Sequence, residues 1–198
     1  SCMAAIVAGN SDKTFNDCTA ECGSYFALTH CVNGWQEEVA DITVTGGDIH
    51  TKKECVLVKS HNMMLDLCDV NISSDKGILV HTIVNDDPCA TKVTKDVFGV
   101  NVVMTDMDVK GDLLHEDTTR EMWVMLNSTQ LTGAIQHANV AFDKGSKWVA
   151  TADSDVVFVT DVEPAQIDAP TGVTITAKGA QAGEFALAGG GTLVVTAL

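Results

Sequence analysis

Short apolar segments recur along the chain, and residues typical of turns separate them. In one repeat they occupy residues 42–44, 48–50 and 56–58, and in the next 64–67, 70–72 and 78–80. Two further repeats cover residues 102–104, 107–109 and 113–114, then 123–126, 130–131 and 134–135, with looser repeats up to 173–176. Segments of this length are typical of strands, and a period of about 20 residues is typical of a repeat architecture. The pattern predicts a β-solenoid with three short strands per turn.

Polar and apolar residues alternate within these strands. Side chains at successive positions of a strand point to opposite faces, so the alternation assigns each residue to the core or to the surface. We expect the inward residues to be Leu65, Leu67, Val70 and Ile72, and the outward ones to be Asp66, Asn71 and Ser73. Val 25, Thr 21 and Ile 9 give the chain the β-branched content that favours strands.

A second marker is the pattern Gly-x-x-x-His, which occurs at residues 77–81, 111–115 and 133–137. The histidines are separated by 34 and then by 22 positions, so the first interval contains about 12 extra residues. This difference predicts an inserted loop within residues 82–99. If the three patterns are in register, His81, His115 and His137 stack on one face of the solenoid.

These segments resemble the right-handed parallel β-helix proteins of the pectin-lyase-like group. The residues that carry the resemblance are 64–81, 100–116 and 121–179, together with a turn at 145–148 similar to the glycine-serine-x-tryptophan turns of such proteins. Within that group, its pattern of short strands and turns most resembles the secreted, adhesin-like and autotransporter-passenger-like bacterial solenoids. The resemblance implies an all-β, right-handed parallel β-helix, and that fold supports lyases, hydrolases, adhesins and inert stalks alike.

The domain prediction is a single β-helix domain over residues 1–198. Residues 1–40 are polar and rich in cysteine, and they are expected to form an irregular first turn or a cap. Residues 41–178 form the regular turns, and residues 179–198 a terminal strand or cap.

Charge restricts the partners that the domain can have. The formal net charge is −15, and Arg120 is the only arginine. Nucleic acids require clustered cations, so a nucleic-acid partner is not expected. No apolar run approaches the ~20 residues of a membrane-spanning helix. The acidity suits a repelling, extracellular or cell-surface protein, although the sequence shows no secretory signal.

Seven cysteines are many for a cytosolic protein of this size, and they favour disulfides in a secreted one. The expected disulfides involve the set Cys18, Cys22, Cys31, Cys55, Cys68 and Cys89. A zinc site that uses His30 with neighbouring cysteines is the alternative.

Three groups of residues could bind a ligand. The predicted ladder of His81, His115 and His137 could hold a metal or simply stack. In the inserted loop, Asp86 and Asp87 could contact a partner, bind calcium, catalyse glycosidic cleavage, or only form a turn. Asp106 and Asp108 are expected to point outward together, and the resemblance to pectate-lyase-like enzymes implies a calcium-holding row of carboxylates there. The aromatic residues Trp123, Phe142, Trp148 and Phe158 are interpreted as packing residues in preference to a sugar platform.

The favoured function is therefore a non-enzymatic, extracellular, adhesin-like or stalk domain. It would present one face and an inserted loop to a protein or carbohydrate at the cell surface. No cofactor is expected, and calcium is the one alternative left open. The first alternative is a calcium-assisted polysaccharide lyase or glycoside hydrolase, but the chain lacks the basic groove that the resemblance requires. The second alternative is a subunit that assembles into homo-oligomers or filaments.

Overall fold

A computed structural model describes residues 3–30, 38–87, 98–117 and 119–198. Twenty strands and one short 3-10 helix, Pro164–Gln166, are present in this part of the chain. The strands are β1 (Ala5–Ala8), β2 (Ser11–Cys22), β3 (Ala27–His30), β4 (Val39–Thr51), β5 (Val56–Lys59), β6 (Asn62–Cys68), β7 (Asn71–Ser74), β8 (Ile78–Ile83), β9 (Val100–Thr105), β10 (Asp108–Lys110), β11 (Asp112–His115), β12 (Met122–Asn127), β13 (Gln130–Thr132), β14 (Ile135–Phe142), β15 (Lys147–Val149), β16 (Ser154–Phe158), β17 (Ile167–Asp168), β18 (Thr174–Gly179), β19 (Gly183–Ala186) and β20 (Thr192–Ala197).

The strands form a parallel β-solenoid, as the sequence predicted. Each turn contributes to three stacked faces, which we call sheets A, B and C. Sheet A contains the first half of β2 and of β4, then β6, β9, β12 and the second half of β14. Sheet B contains the second half of β2 and of β4, then β7, β10, β13, β15 and β17. Sheet C contains β1, β3, β5, β8, β11 and the start of β14. In the last turns β16, β18 and β20 continue through sheets C and A without interruption.

The register confirms the period of about 20 residues and the inserted loop. Ile42 pairs with Leu65, and Val140 pairs with Phe158, at spacings of 23 and 18 positions. Leu65, in contrast, pairs with Val102, 37 positions further on. The extra chain lies between the end of β8 and the start of β9, within the predicted interval.

The core consists of inward-facing columns that run through successive turns. On sheet A one column contains Ile42, Leu65, Val102, Val124 and Val140, and all five are fully buried. The alternation is confirmed for every residue assigned from the sequence: the residues expected in the core, Leu65, Leu67, Val70 and Ile72, are buried. Those expected outside, Asp66, Asn71 and Ser73, are partly or well exposed. Apolar burial repeated in each turn is what stabilises such a stack.

The N-terminal end of the chain is more regular than the sequence expectation, whereas the C-terminal end contains a terminal strand, β20. Residues 5–30 contain regular strands, and β2 pairs in parallel with β4 over eleven residue pairs, so this segment is an ordinary first turn. At the other end, β19 pairs antiparallel with β20 and covers part of that strand's free edge. An antiparallel strand at this position shields backbone groups that would otherwise be available to another chain.

Candidate functional site

The predicted histidine ladder does not form. The pairing of β11 with β8 shifts by one residue, because Asp112 lies opposite Ile78 whereas Leu113 lies opposite Val80. His115 therefore lies opposite Thr82, and His81 lies opposite Leu114. A one-residue shift moves a side chain to the other face of a sheet. The expectation that His81, His115 and His137 share one face is therefore wrong.

His115 belongs to a buried polar cluster, which we define as His61, Asn62, His115, Asp117 and Arg120. Its Nδ1 is 2.5 Å from Oγ1 of Thr82, and its Nε2 is 3.0 Å from the carbonyl oxygen of Arg120. Burial lowers the pKa of His115, although the carbonyl of Arg120 and the charge of Asp117 act in the opposite direction. This histidine is a structural residue that is closed to solvent, with 5% of its surface exposed.

The charged pair in this cluster is also buried. Nη1 of Arg120 lies 3.1 Å from Oδ2 of Asp117, and the arginine side chain is 0% exposed. Next to it, both ring nitrogens of His61 are buried without a hydrogen-bond partner. Burial, followed by the charge of Arg120, lowers the pKa of His61 to about 4. His61 therefore stays neutral at physiological pH.

His81 lies on the outer side of sheet C between two carboxylates. Its Nδ1 is 3.6 Å from Oε1 of Glu54, and its Nε2 is 3.5 Å from Oε2 of Glu116. Because the two carboxylates approach opposite ring nitrogens, they do not converge on one point where a cation could bind.

Asp86 and Asp87 are held against the solenoid at the start of the inserted loop. Nζ of Lys59 lies 3.4 Å from Oδ1 of Asp86 and 3.2 Å from Oδ2 of Asp87. Burial acts to lower the pKa of Lys59, but the hydrogen bonds and charges of the two aspartates outweigh it and raise that pKa. Residues 88–97, including Cys89, lie outside the described part of the chain.

Two residues that follow Lys59, Ser60 in the connection after β5 and Asn62 at the start of β6, hold both ends of the loop. Oγ of Ser60 accepts a hydrogen bond from the backbone N–H of Asn85 at 2.8 Å. Oδ1 of Asn62 accepts one from the N–H of Gly99 at 3.1 Å. A single segment of the solenoid therefore fixes the positions from which the loop leaves and to which it returns.

Asp106 and Asp108 are both exposed, but they do not lie on the same face of one strand. Asp106 has a φ of 54° and occupies the bend between sheets A and B, whereas Asp108 lies on sheet B beside Gln130. Within the described residues, no group of three or more His, Cys, Asp or Glu could hold a metal ion. The calcium site expected at Asp106 and Asp108 therefore has no third ligand of these types in that part of the chain.

The cysteines that the structure describes are not joined to one another. No disulfide connects any two of Cys18, Cys22, Cys55 and Cys68. Burial raises the pKa of the Cys55 thiol to about 12, which keeps it protonated and unreactive. The disulfide prediction is not confirmed for these four residues, and Cys31 and Cys89 lie outside the described ranges.

His137 is the most exposed histidine, with 62% of its side-chain surface accessible to solvent. It has a φ of 57° and is the extra residue of a bulge in β14, opposite Asp155 and Val156 of β16. Its Nδ1 is 2.8 Å from Oδ2 of Asp155, and its backbone N–H donates to Oδ1 of the same carboxylate at 2.9 Å. The pair borders a groove of about 280 Å³, lined by His137, Ala138, Asn139, Asp155, Val156, Val157, Thr176, Ala177, Lys178 and Thr196.

Sequence reasoning missed the surface next to this groove. Trp148, Phe142 and Phe158 are core residues, as interpreted from the sequence, and their rings pack edge to face. Trp123 differs: it lies between the buried residues Met122 and Val124 and points to the outer side of sheet A, where it is half-buried. The alternation in β12 already contained this signal, because buried and outer positions alternate along a strand.

Comparisons with known proteins found no related protein. No protein-family model matches the sequence, and neither a curated protein nor a solved structure matches it. No helix within the described ranges is long and apolar enough to cross a membrane. The molecule is thus defined by its parallel β-solenoid and by the surfaces described above.

Proposed function

We propose that this chain is a non-enzymatic binding domain that is displayed outside the cell, similar in role to adhesin-like solenoids of the pectin-lyase-like group. The observation that supports it is the outer side of sheet A, where half-buried side chains from consecutive turns lie in line and continue into the groove beside His137. Parallel strands that are hydrogen-bonded over many turns make such a face stiff, which reduces the ordering cost of binding.

The position of Arg120 excludes this residue as the base of a lyase. In pectate-lyase-like enzymes an arginine or a lysine takes the proton beside a uronate, and Arg120 is the only arginine in the sequence. Its side chain is completely buried and paired with Asp117. It therefore cannot reach a polysaccharide on the outer surface.

The net charge of −15 supports the same proposal. Acidic surfaces repel one another and keep a displayed protein dispersed. Asp86 and Asp87, held by Lys59 at the start of the inserted loop, would be a second contact region. Loops that are anchored to a rigid scaffold are frequent sites of recognition.

The test incubates the full chain with arrays of polysaccharides and of cell-surface proteins, with calcium or with a chelator. Bound protein and new polysaccharide ends are measured in the same wells, and heat-denatured chain is the control. We expect retention on at least one array without cleavage. Calcium-dependent cleavage would contradict the proposal and would direct mutagenesis to Asp106, Asp108, Asp86 and Asp87. Equal retention of native and denatured chain would also contradict it.

A further inference from the structure

The outer side of sheet A carries one aromatic ring between two carboxamides. Asn101 of β9 and Asn139 of β14 lie directly opposite Trp123 in the strands on either side of β12. Adjacent strands are about 4.8 Å apart, so the three side chains form a row along the solenoid axis. We call this row, with the neighbouring row Val103, Met125 and Ala141, the Trp123 surface.

The Trp123 surface is continuous with the groove beside His137. Asn139 belongs to both, because its neighbour in the next turn is Val157, which lines the groove. The row then continues to Lys178 and Thr196. A row in which the apolar side chains of Trp123 and Val157 stand between polar ones therefore extends over consecutive turns, from β9 to β20.

The polar groups along this row suit an uncharged ligand. The amide of Asn139 donates to Oε2 of Glu121 at 3.4 Å, and that of Asn101 donates to the carbonyl oxygen of Phe98 at 3.4 Å. Both distances are long for hydrogen bonds, and both carboxamides are only partly buried. In the groove, the Asp155 carboxylate is already bonded to His137, and Lys178 is the one cation among the lining residues.

We propose that the Trp123 surface and the groove together bind an uncharged carbohydrate chain that lies along the solenoid axis. A pyranose ring has an apolar C–H face that packs on an indole, while its hydroxyls bond to amides beside the ring. The chain's net charge of −15 disfavours a polyanionic glycan, so an uncharged sugar chain matches this surface better than an acidic one. This inference rests on the proposed binding function and specifies its ligand and its site.

The test measures binding of β-1,4-linked hexasaccharides of glucose, mannose, xylose and N-acetylglucosamine to the full chain by titration calorimetry. Hexagalacturonate is the charged comparison. The variants are Trp123→Ala and Asn139→Ala, and the matched control is Gln130→Ala, which removes an exposed amide from sheet B. Circular dichroism verifies the fold of each variant, and Asn139→Ala keeps the test decisive if Trp123→Ala does not fold.

We expect at least one uncharged hexasaccharide to bind more tightly than hexagalacturonate. Trp123→Ala should weaken its binding about tenfold or more and Asn139→Ala about threefold, whereas Gln130→Ala should leave it unchanged. The inference is overturned if no uncharged hexasaccharide binds, or if binding is equal in the wild type and in both variants. Retention on an array, measured separately, decides whether the broader binding function survives that result.

Discussion

The chain changes direction between sheets in different ways at two corners of the solenoid. Where the chain passes from sheet A to sheet B, positive φ makes the bend in consecutive turns: a single residue in four of them, Asp17, Asp69, Asp106 and Ser128, and the pair Gly46 and Gly47 in β4. Where it passes from sheet C to sheet A, two residues connect β5 to β6, but 16 lie between β8 and β9 and only His137 bulges within β14. The first corner maintains the register, and the second accommodates insertions.

The residues at these corners explain the difference. Aspartate, serine and glycine tolerate left-handed backbone better than β-branched residues do, so each of them can make a one-residue bend. The variable corner instead contains the buried cluster of His61, Asn62, His115, Asp117 and Arg120, whose hydrogen bonds hold connections of different length. Chemical diversity therefore concentrates at the corner where the length of the chain varies.

The strongest test of this comparison adds one alanine at each corner. Inserted after Asp69, it should unfold the domain, because the following strand would present the wrong face to the core. Inserted after Asp87, within the long connection between β8 and β9, it should change the free energy of unfolding by less than about 0.5 kcal/mol. Urea denaturation followed by circular dichroism measures both. Similar stabilities of the two insertion variants would refute the distinction between the corners.

The next largest effect is expected from the buried ion pair. Arg120→Met leaves the Asp117 carboxylate buried without its cation, so we expect a loss of about 3 kcal/mol or more. Lys59→Met is the control at the same corner, because its partners Asp86 and Asp87 remain open to water, and it should cost less than about 1 kcal/mol. Urea midpoints of the two variants give the comparison. Equal losses of unfolding free energy in the two variants would show that the burial of the Arg120–Asp117 pair does not determine its contribution to stability.

Glycine substitutions probe the regular corner. A Cβ at Gly47 would lie 2.2 Å from the carbonyl oxygen of Cys18 in the neighbouring turn, at a φ of +85°. Gly77 also has positive φ, +67°, but nothing lies within 4 Å of its added Cβ. We expect Gly47→Ala to cost about 3 kcal/mol and Gly77→Ala about 1 kcal/mol in thermal or urea unfolding. A smaller cost at Gly47 than at Gly77 would mean that the turns are not stacked this closely.

The smallest predicted effect is a pH dependence at the variable corner. The pKa of His61 is about 4 in the folded chain and about 6.5 when unfolded, so the folded state binds fewer protons. Its contribution to stability is complete above pH 6.5 and is lost as pH falls toward 4, by about 2 kcal/mol between pH 7 and pH 5. His61→Gln should flatten this part of the profile relative to wild type. An identical slope in both proteins would exclude His61 as its source.

Much of the fold could be predicted because alternation and period are local properties. Leu65, Leu67, Val70 and Ile72 were assigned to the core from their order alone. β2 was harder, because its side chains are mostly polar and its strand pairing with β4 is a long-range interaction.

The site depends on details that a spacing cannot reveal. The Gly-x-x-x-His pattern correctly located the inserted loop. It could not reveal the one-residue shift between β8 and β11, which makes the side chain of His115 point into the core. The surface at Trp123 was predictable from the alternation in β12, but only once Asn101 and Asn139 were known to lie on either side of it. Function at a stacked surface depends on the register between turns, which no single turn encodes.

Carbethoxylation of the native histidines, followed by mass spectrometry, tests this register most directly. The side chains of His137 and His50 are 62% and 39% exposed, so they should react first. His61 and His115 are buried and should stay protected until the chain unfolds. Equal reaction rates for His81, His115 and His137 would place all three on one outer face and would contradict the register described here.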